Sequence, residues 1–294
     1  MYFSRVQVMT NRQYSPQVRR LIYGNVYGVH QLLWDLFPAE KDRSFIFREE
    51  VAKEQLGVRR TARGEPIFYL VSRTKPSEES SFFKVESKKY SPVLQTGEEL
   101  AFKLRANPVV ARKRDGKKNS ARHDIVMDSQ RVLLEDLLRE LNVTYNGRKN
   151  DLKQKILQLW TCANNQQMRK LLEDILERNE RYKDKIVCLN NPKDLLEWGL
   201  KAYADKMLEE WLIEKGKQCG FELLRDEKRK RIRFQAEGYR WHALPKKGKS
   251  AGFSSVDFEG GLRITNVTLF KEALFYGIGR AKAFGCGLML VRRL

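Results

Sequence analysis

A long, purely helical stretch separates two segments of this 294-residue chain that are rich in predicted strands. Apolar residues recur at helical spacing from Leu133 to Trp211. Asn191, Pro192 and Asp194 supply the cap, the first-turn proline and the acid of a new helix within it. On both sides of the stretch, apolar residues alternate with polar ones, as in half-buried strands. This division predicts an α+β protein with a helical insertion between two β-containing units.

The N-terminal segment has the pattern β-α-β-β, with one further strand. A helix is expected at Val26–Phe37, because its apolar positions follow helical spacing and Pro38 comes directly after it. The expected strands are Tyr2–Met9, Ser44–Val51, Pro66–Arg73 and Glu99–Asn107. This inventory indicates a ferredoxin-like domain at 1–109. A basic linker at 110–128 follows, which is either a solvated connection or a phosphate contact.

The C-terminal segment has a similar inventory after the helical insertion at 129–193. Leu269–Tyr276 is a predicted helix, and an earlier helix is supplied by the one that starts near Asn191. The expected strands are Phe221–Leu224, Ile232–Leu244, Ser254–Thr265 and Leu288–Val291. Residues 194–294 therefore predict a second domain. The fold class is α+β, with two tandem ferredoxin-like (RRM-like) domains and an all-helical insertion.

The composition indicates a polyanionic partner. The chain has 57 Lys and Arg against 37 Asp and Glu, and its formal net charge is +20. Met1–Ser15 has no apolar run long enough for a signal peptide, and no stretch reaches the roughly 18 apolar residues of a membrane span. We therefore expect a cytoplasmic protein without a membrane partner. The cysteines and histidines lack zinc-ligand spacing, so neither a metal site nor a cofactor is expected.

A glycine-rich motif extends from Gly277 to Leu288. Its four glycines in eleven positions disfavour a helix or strand interior and permit close approach of two backbone segments. Exposed N–H groups of such a loop can also hold phosphate oxygens, and Arg280 and Lys282 add positive charge. The spacing does not match a Walker loop, and no βαβ unit surrounds it for dinucleotide binding. A tight helix-to-strand loop and a phosphate contact both remain open.

Three motifs, in order along the chain, resemble the CasE family, the CRISPR RNA-processing endoribonucleases of type I-E systems. They are Tyr27–Phe37, Phe102–Pro108 and the pattern G-x-G-x-x-K-x-x-G-x-G-L at Gly277–Leu288, and the run His123–Val126 is also similar. The resemblance covers about 1–128 and 194–294. It implies tandem ferredoxin-like domains of the RAMP superfamily. It also implies cleavage of a CRISPR repeat hairpin at the 3′ base of its stem, with the product retained in the Cascade surveillance complex.

In that family a histidine and a nearby tyrosine on the first helix serve the cut, and the resemblance assigns these roles to His30 and Tyr27. RNA carries its own nucleophile, the 2′-hydroxyl, and histidine, with a reference pKa of about 6.5, can transfer its proton near neutrality. Tyr27 lies three residues earlier, on the same helix face. Its phenol, with a reference pKa of about 10, is expected to orient the 2′-hydroxyl or to bind phosphate. Apart from the resemblance, His30 is an ordinary histidine of an amphipathic helix.

Positive side chains in three places are candidates for binding the RNA. The resemblance implies a basic hairpin at Arg240–Lys249, which can enter the end of an A-form stem, and the glycine motif and the linker supply further charge. The candidates are Arg240, Lys246, Lys247, Lys249, Arg280, Lys282, Gly285, Gly287, Arg112, Lys113, Arg114, Lys117, Lys118 and Arg122. The partners implied are the CRISPR repeat hairpin with its crRNA product, and Cascade subunits, especially the backbone subunit.

Residues 129–193 have no counterpart in the family pattern. Arg131–Trp160 resembles a SAP-type helix pair, which binds DNA in other proteins, whereas the plainer explanation is a helical decoration or docking surface. Two alternatives to the endoribonuclease therefore stay open. One is a non-catalytic RNA-binding subunit in which His30 is structural, and the other is a DNA-binding adaptor that acts through the insertion.

Overall fold

The computed structural model describes residues 1–9, 26–51, 66–112, 121–162, 166–226, 231–244 and 251–294. The chain divides into two compact units. The first, here called the β unit, comprises Met1–Asn107, Glu214–Leu224 and Arg233–Leu294, and the second, the helical unit, comprises Pro108–Ile213 and Arg225–Ile232. None of the described helices is long and apolar enough to cross a membrane.

Four antiparallel strands form the first sheet of the β unit, in the order β2-β3-β1-β4. The strands are β1 (Tyr2–Val8), β2 (Phe45–Val51), β3 (Pro66–Ser72) and β4 (Phe83–Lys89), and helix α1 (Val26–Trp34) follows β1 in the chain. Apolar side chains of α1 and of all four strands share one core. The sequence pattern misses β4, because Phe83 is its only buried side chain and its lysines are those of an edge strand.

The second sheet of the β unit has the strand order β11-β12-β5-β13, with β8 paired to β12. Its strands are β5 (Glu99–Ala106), β8 (Phe221–Leu223), β11 (Phe234–Ala243), β12 (Gly252–Ile264) and β13 (Met289–Arg293), and helix α6 (Val267–Tyr276) precedes β13. The sequence groups β5 with the N-terminal strands, but the structure pairs it with β12 and β13. Alternating burial identifies a strand with one covered face and does not say which sheet it joins.

The helical unit contains four helices among its described residues, with two short strand pairs. The helices are α2 (Ile125–Glu140), α3 (Lys149–Cys162), α4 (Gln166–Glu177) and α5 (Pro192–Cys219), of which the part up to Ile213 belongs to this unit, and a 3₁₀ turn at Lys183–Cys188 precedes α5. The sequence predicts a linker at 110–128. The structure instead pairs β6 (Val109–Arg112) with β7 (Ala121–Asp124), and β9 (Arg225–Asp226) pairs with β10 (Arg231–Ile232). Asp124 then caps α2, since its carboxylate accepts the Met127 N–H at 2.7 Å.

One apolar core serves the helical unit, and it is shared between the predicted insertion and the helix that follows it. Leu134 on α2, Ile156 on α3 and Leu172 on α4 are fully buried in the same cluster as Leu196 and Leu200 on α5. Gly199 permits the close approach of α4, because a Cβ there would lie 2.6 Å from Cδ2 of Leu172. The boundary at 193/194 predicted from the proline-capped helix start therefore falls inside a core.

Candidate active site

The first helix of the β unit carries His30 and is in contact with the 3₁₀ turn Lys282–Phe284 of the C-terminal glycine loop. The imidazole centroid lies 5.8 Å from the ring of Phe45 and 5.7 Å from that of Trp34. Trp34 follows His30 by one helical turn, and Phe45 begins β2, so α1 and the first sheet together hold the ring. The position of the imidazole is therefore set by packing against two aromatic side chains.

The Nε2 atom of His30 is buried and has no hydrogen-bond partner among the described residues. Leaving such an atom unsatisfied typically costs about 1–3 kcal/mol of folding free energy, and a catalytic role and an ordered water are both common explanations of such an atom in native proteins. Burial, and after it the positive charge of Arg43, lower the pKa of His30 from its ordinary value of 6.5. The neutral imidazole therefore predominates at pH 7, and in that form it can accept a proton.

Arg43 is exposed just before β2, and its charge acts on a second group of the same site. Burial and then the charge of Arg43 lower the pKa of the Lys282 ammonium. Neither Arg43 nor Lys282 forms a salt bridge with a described residue, and we call these two residues with His30 the cationic cluster. Positive groups that have no salt-bridge partner among the described residues are suited to bind an anion such as a phosphate.

The glycine loop owes its shape to four glycines, Gly277, Gly279, Gly285 and Gly287, whose φ angles lie between 76° and 94°. Two of them are buried. A Cβ at Gly285 would lie 3.2 Å from the Phe47 ring, and the Gly287 N–H donates to the carbonyl oxygen of Arg105 at 2.7 Å. Packing thus explains Gly285 and Gly287, which the sequence offers as RNA contacts. The charges that this loop presents are those of the half-buried Lys282 and the exposed Arg280.

A comparison with protein-family models matches residues 1–293 to the family described as CRISPR associated protein. The chain belongs to this CRISPR-associated family. The matched range runs through residues 129–193 as well as both ends, and the family resemblance read from the three sequence motifs is confirmed. No curated protein gives a significant match.

Solved structures of similar proteins establish the fold of this CRISPR-associated chain. Thermus thermophilus Cse3 bound to an RNA that represents a pre-cleavage complex is 18% identical, with a TM-score of 0.56 over 99% of this chain and 98% of that one. CRISPR endoribonuclease Cse3 bound to a 19-nucleotide RNA is also 18% identical, with a TM-score of 0.57 over 99% and 100%. The predicted α+β architecture, with two antiparallel sheets and a helical central region, is confirmed.

The remaining candidates from the sequence are distributed over both units. Arg240 is exposed on β11 of the β unit, and Arg122 is exposed on β7 of the helical unit. Tyr27 lies on α1 and Arg112 on β6, but their side chains are outside the described part of the structure. The candidates that lie outside the described residues altogether are Lys246, Lys247, Lys249, Lys113, Arg114, Lys117 and Lys118. In the described part of the chain, no three His, Cys, Asp or Glu side chains are grouped to hold a metal ion.

A partly buried ion network joins the two sheets of the β unit, and no sequence motif signals it. The Asp257 carboxylate on β12 accepts from Arg105 Nε at 2.9 Å and Nη2 at 3.0 Å, and from Arg48 Nη2 at 3.2 Å. Arg48 is only 3% exposed. Because these residues come from β2, β5 and β12, the Asp257 network ties the first sheet to the second. Arg105 also carries the carbonyl oxygen that anchors Gly287.

His242 has a structural environment and not a catalytic one. Its Nε2 is 2.8 Å from the Ser255 hydroxyl oxygen, and its ring stacks on Phe253 with 4.7 Å between centroids. Burial, followed by the charges of Arg240 and Arg105, lowers the pKa of His242 to about 4. An imidazole with a pKa of about 4 is a weak proton acceptor near pH 7, and its Nε2 already has a partner in Ser255, so His30 is the better candidate for proton transfer.

Proposed function

We propose that this CRISPR-associated protein is a metal-independent endoribonuclease that cleaves repeat hairpins in the CRISPR precursor transcript. In this proposal it stays bound to the mature crRNA in the cytoplasm, as a Cascade subunit that contacts the backbone subunit. The observation that carries the proposal is the cationic cluster. The helix with His30 contacts the turn with Lys282, the charge of Arg43 acts on both side chains, and neither cation has a salt-bridge partner among the described residues. The motifs shared with the CasE family supply the substrate class.

The reaction needs only groups that the RNA and the cluster contain. The 2′-oxygen attacks the adjacent phosphorus, the bond from phosphorus to the 5′-oxygen breaks, and a 2′,3′-cyclic phosphate and a 5′-hydroxyl result. Neutral His30 takes the 2′ proton, a role that general bases fill with rate gains of about 10²- to 10⁴-fold. The 5′-oxygen receives a proton as it leaves.

Arg43 and Lys282 meet the negative charge that grows on the phosphate during attack. Cations fixed in advance stabilise such charge without reorganisation at the moment of reaction. Of the two, Lys282 can also release a proton to the 5′-oxygen, since a guanidinium keeps its proton in proteins. Its pKa, lowered by burial and by Arg43, makes its ammonium a stronger acid than an exposed lysine.

The direct test is a cleavage assay with an end-labelled repeat hairpin in excess EDTA. We expect one cut at the 3′ base of the stem, with cyclic phosphate and 5′-hydroxyl ends. The matched substrate with a 2′-deoxy residue at the cut should stay intact, because the nucleophile is missing. Tight binding without cleavage, with or without Mg²⁺, would identify a non-catalytic RNA-binding subunit. Cleavage that depends on Mg²⁺ would contradict the metal-independent mechanism.

Arg43→Ala should both slow cleavage and move its pH dependence. The neutral imidazole is the active form, so kcat/KM rises with pH through the pKa of free His30, which burial and Arg43 hold below 6.5 in the wild type. Without Arg43 that pKa rises, and the acidic limb moves to higher pH. The rate at pH 8 should fall roughly 10- to 100-fold, as for a lost charge-assisted hydrogen bond.

The matched control for Arg43 is Lys41→Ala, an exposed cation two residues earlier in the same segment. Its pH–rate profile should coincide with that of the wild type. If the acidic limb of the Arg43→Ala profile stays at the wild-type pH, Arg43 does not influence the pKa of the base.

A further inference from the structure

We propose that Trp241 is a stacking platform for an unpaired nucleobase next to the hairpin stem. The inference rests on the proposed RNA-binding function and adds a residue that neither the motifs nor the charge pattern selects. It would give the protein a contact with a base, in addition to recognition of the stem by shape and charge.

Trp241 lies on an edge strand and is unusually accessible for its type. Its side chain is 53% exposed, and Tyr239 on the same strand is 41% exposed. β11 is the terminal strand of the order β11-β12-β5-β13, so none of the described strands pairs with its outer edge. Tryptophan has a large apolar surface, so leaving it exposed to water forgoes a large free energy of burial. Two exposed aromatic residues so close on one edge strand point to a surface that a ligand covers.

The indole is held in place before any ligand arrives. A Cβ at Gly252 would lie 2.5 Å from Cζ2 and 2.7 Å from Cε2 of Trp241, so the ring packs directly against the Gly252 backbone. Gly252 lies on β12 and pairs with Ala243, which makes it a diagonal neighbour of Trp241 across the hairpin. The ring is therefore supported on one side by backbone while half of its surface stays accessible. Such preorganisation lowers the entropy cost of stacking.

The charge of the sequence around Trp241 indicates which class of ligand binds there. From Gly238 to Val256 the chain contains no Asp or Glu, whereas it contains Arg240 and three lysines. Arg240, the residue before Trp241 on β11, is exposed. An apolar protein partner would not require this excess of cations, but a nucleic acid offers phosphates to the cations and a flat π-face to the indole.

Within the RNA, the base must be one that is not already stacked on both sides. Bases inside an A-form stem are covered by their neighbours, so proteins stack aromatic side chains on loops, bulges and ends. Trp241 stands seven residues before Gly248 of the predicted basic turn, on one arm of the hairpin that the sequence assigns to the stem end. The occupant is therefore a single-stranded nucleotide that flanks the stem.

The test compares Trp241→Phe and Trp241→Leu, using equilibrium binding to a repeat hairpin that carries single-stranded flanks. Phenylalanine keeps a π-face, whereas leucine keeps apolar bulk without one. We expect Trp241→Leu to weaken binding on the order of 10- to 100-fold and Trp241→Phe to retain most of the affinity. Tyr276→Ala, which removes a 49% exposed aromatic side chain from α6, should bind like the wild type.

An abasic scan of the flanking nucleotides identifies the stacked base and separates this inference from the proposed function. At one flanking position, wild type and Trp241→Leu should bind the abasic RNA equally, because the contact is lost in both. The stacking inference is wrong if the wild type binds the hairpin and Trp241→Leu binds it with the same affinity. It is also wrong if Trp241→Leu lowers the affinity equally for every abasic RNA. The endonuclease proposal stands in both cases. If the wild type does not bind the hairpin, the proposed function itself fails.

Discussion

His30→Ala should lower the single-turnover cleavage rate by about 10²- to 10⁴-fold and leave hairpin affinity nearly unchanged. The size of this decrease in rate follows from the loss of a general base, since no other described histidine of the β unit has a comparable environment. His242 is held by Ser255 and Phe253, with its pKa lowered to about 4. Affinity should persist, because Arg43 and Lys282 still meet the phosphate. Single-turnover cleavage and filter binding on one hairpin measure both quantities.

Loss of the aromatic contacts of His30 also perturbs packing, so the variant needs controls that separate chemistry from folding. Thermal unfolding of His30→Ala shows whether α1 stays folded against Phe45. Added imidazole should restore part of the rate if the missing group is a base, and it cannot repair a packing defect. His123→Ala, in the helical unit, should cleave like the wild type. A folded His30→Ala protein that cleaves at the wild-type rate would leave His30 with a structural role only.

Asp257→Ala should lower the free energy of unfolding of the β unit by about 3 kcal/mol. Removing one partner of a buried ion pair costs about 3–5 kcal/mol, and the 30% exposure of Asp257 puts this case at the lower end. Arg48 would keep Glu50, 2.5 Å from its Nε, and Arg105 would keep the carbonyl oxygen of Glu49 at 3.1 Å. Urea unfolding of wild type and variant gives the difference directly.

A matched control lies two residues further along β12. Glu259→Ala removes a salt bridge between Lys103, which is 45% exposed, and Glu259, which is 53% exposed. Such a surface pair contributes about 0–1 kcal/mol to stability. Equal stabilities of the two variants would mean that the Asp257 network does not hold the sheets together. Below its unfolding transition, Asp257→Ala should retain more cleavage activity than His30→Ala, because Asp257 bonds to Arg105, whose carbonyl oxygen holds Gly287, and takes no part in proton transfer.

Local patterns predict most elements of this fold, and the failures have physical causes. Helical spacing identifies α1 and α5, and alternation identifies β1 and β12. The partner of β5 is decided by long-range pairing, and the core shared by Leu172 and Leu200 depends on packing of helices that are distant in sequence. Local periodicity predicts neither the pairing of β5 nor this shared core.

The candidate site was predictable only in part, for a similar reason. The family motifs select His30 and Lys282, and the structure brings their helix and turn into contact. Arg43 belongs to no motif, and an exposed arginine before a strand is ordinary until the fold brings its charge to bear on a partly buried histidine. The glycines of the C-terminal loop differ from Arg43, because the motif does select them but does not show what they do. Phe47 and the Arg105 carbonyl explain Gly285 and Gly287 by backbone packing, whereas the sequence alone leaves phosphate binding open.

The position of β5 has a consequence for how the protein is made on the ribosome. β5 ends at Ala106, but β12, with which it pairs, begins only at Gly252, after the whole helical unit. At about 5–20 residues per second, the nascent β5 waits roughly 7–30 s for that partner. During this time Phe102 and Leu104 lack the sheet that later buries them, so this strand is the natural point for a ribosome-associated chaperone to protect.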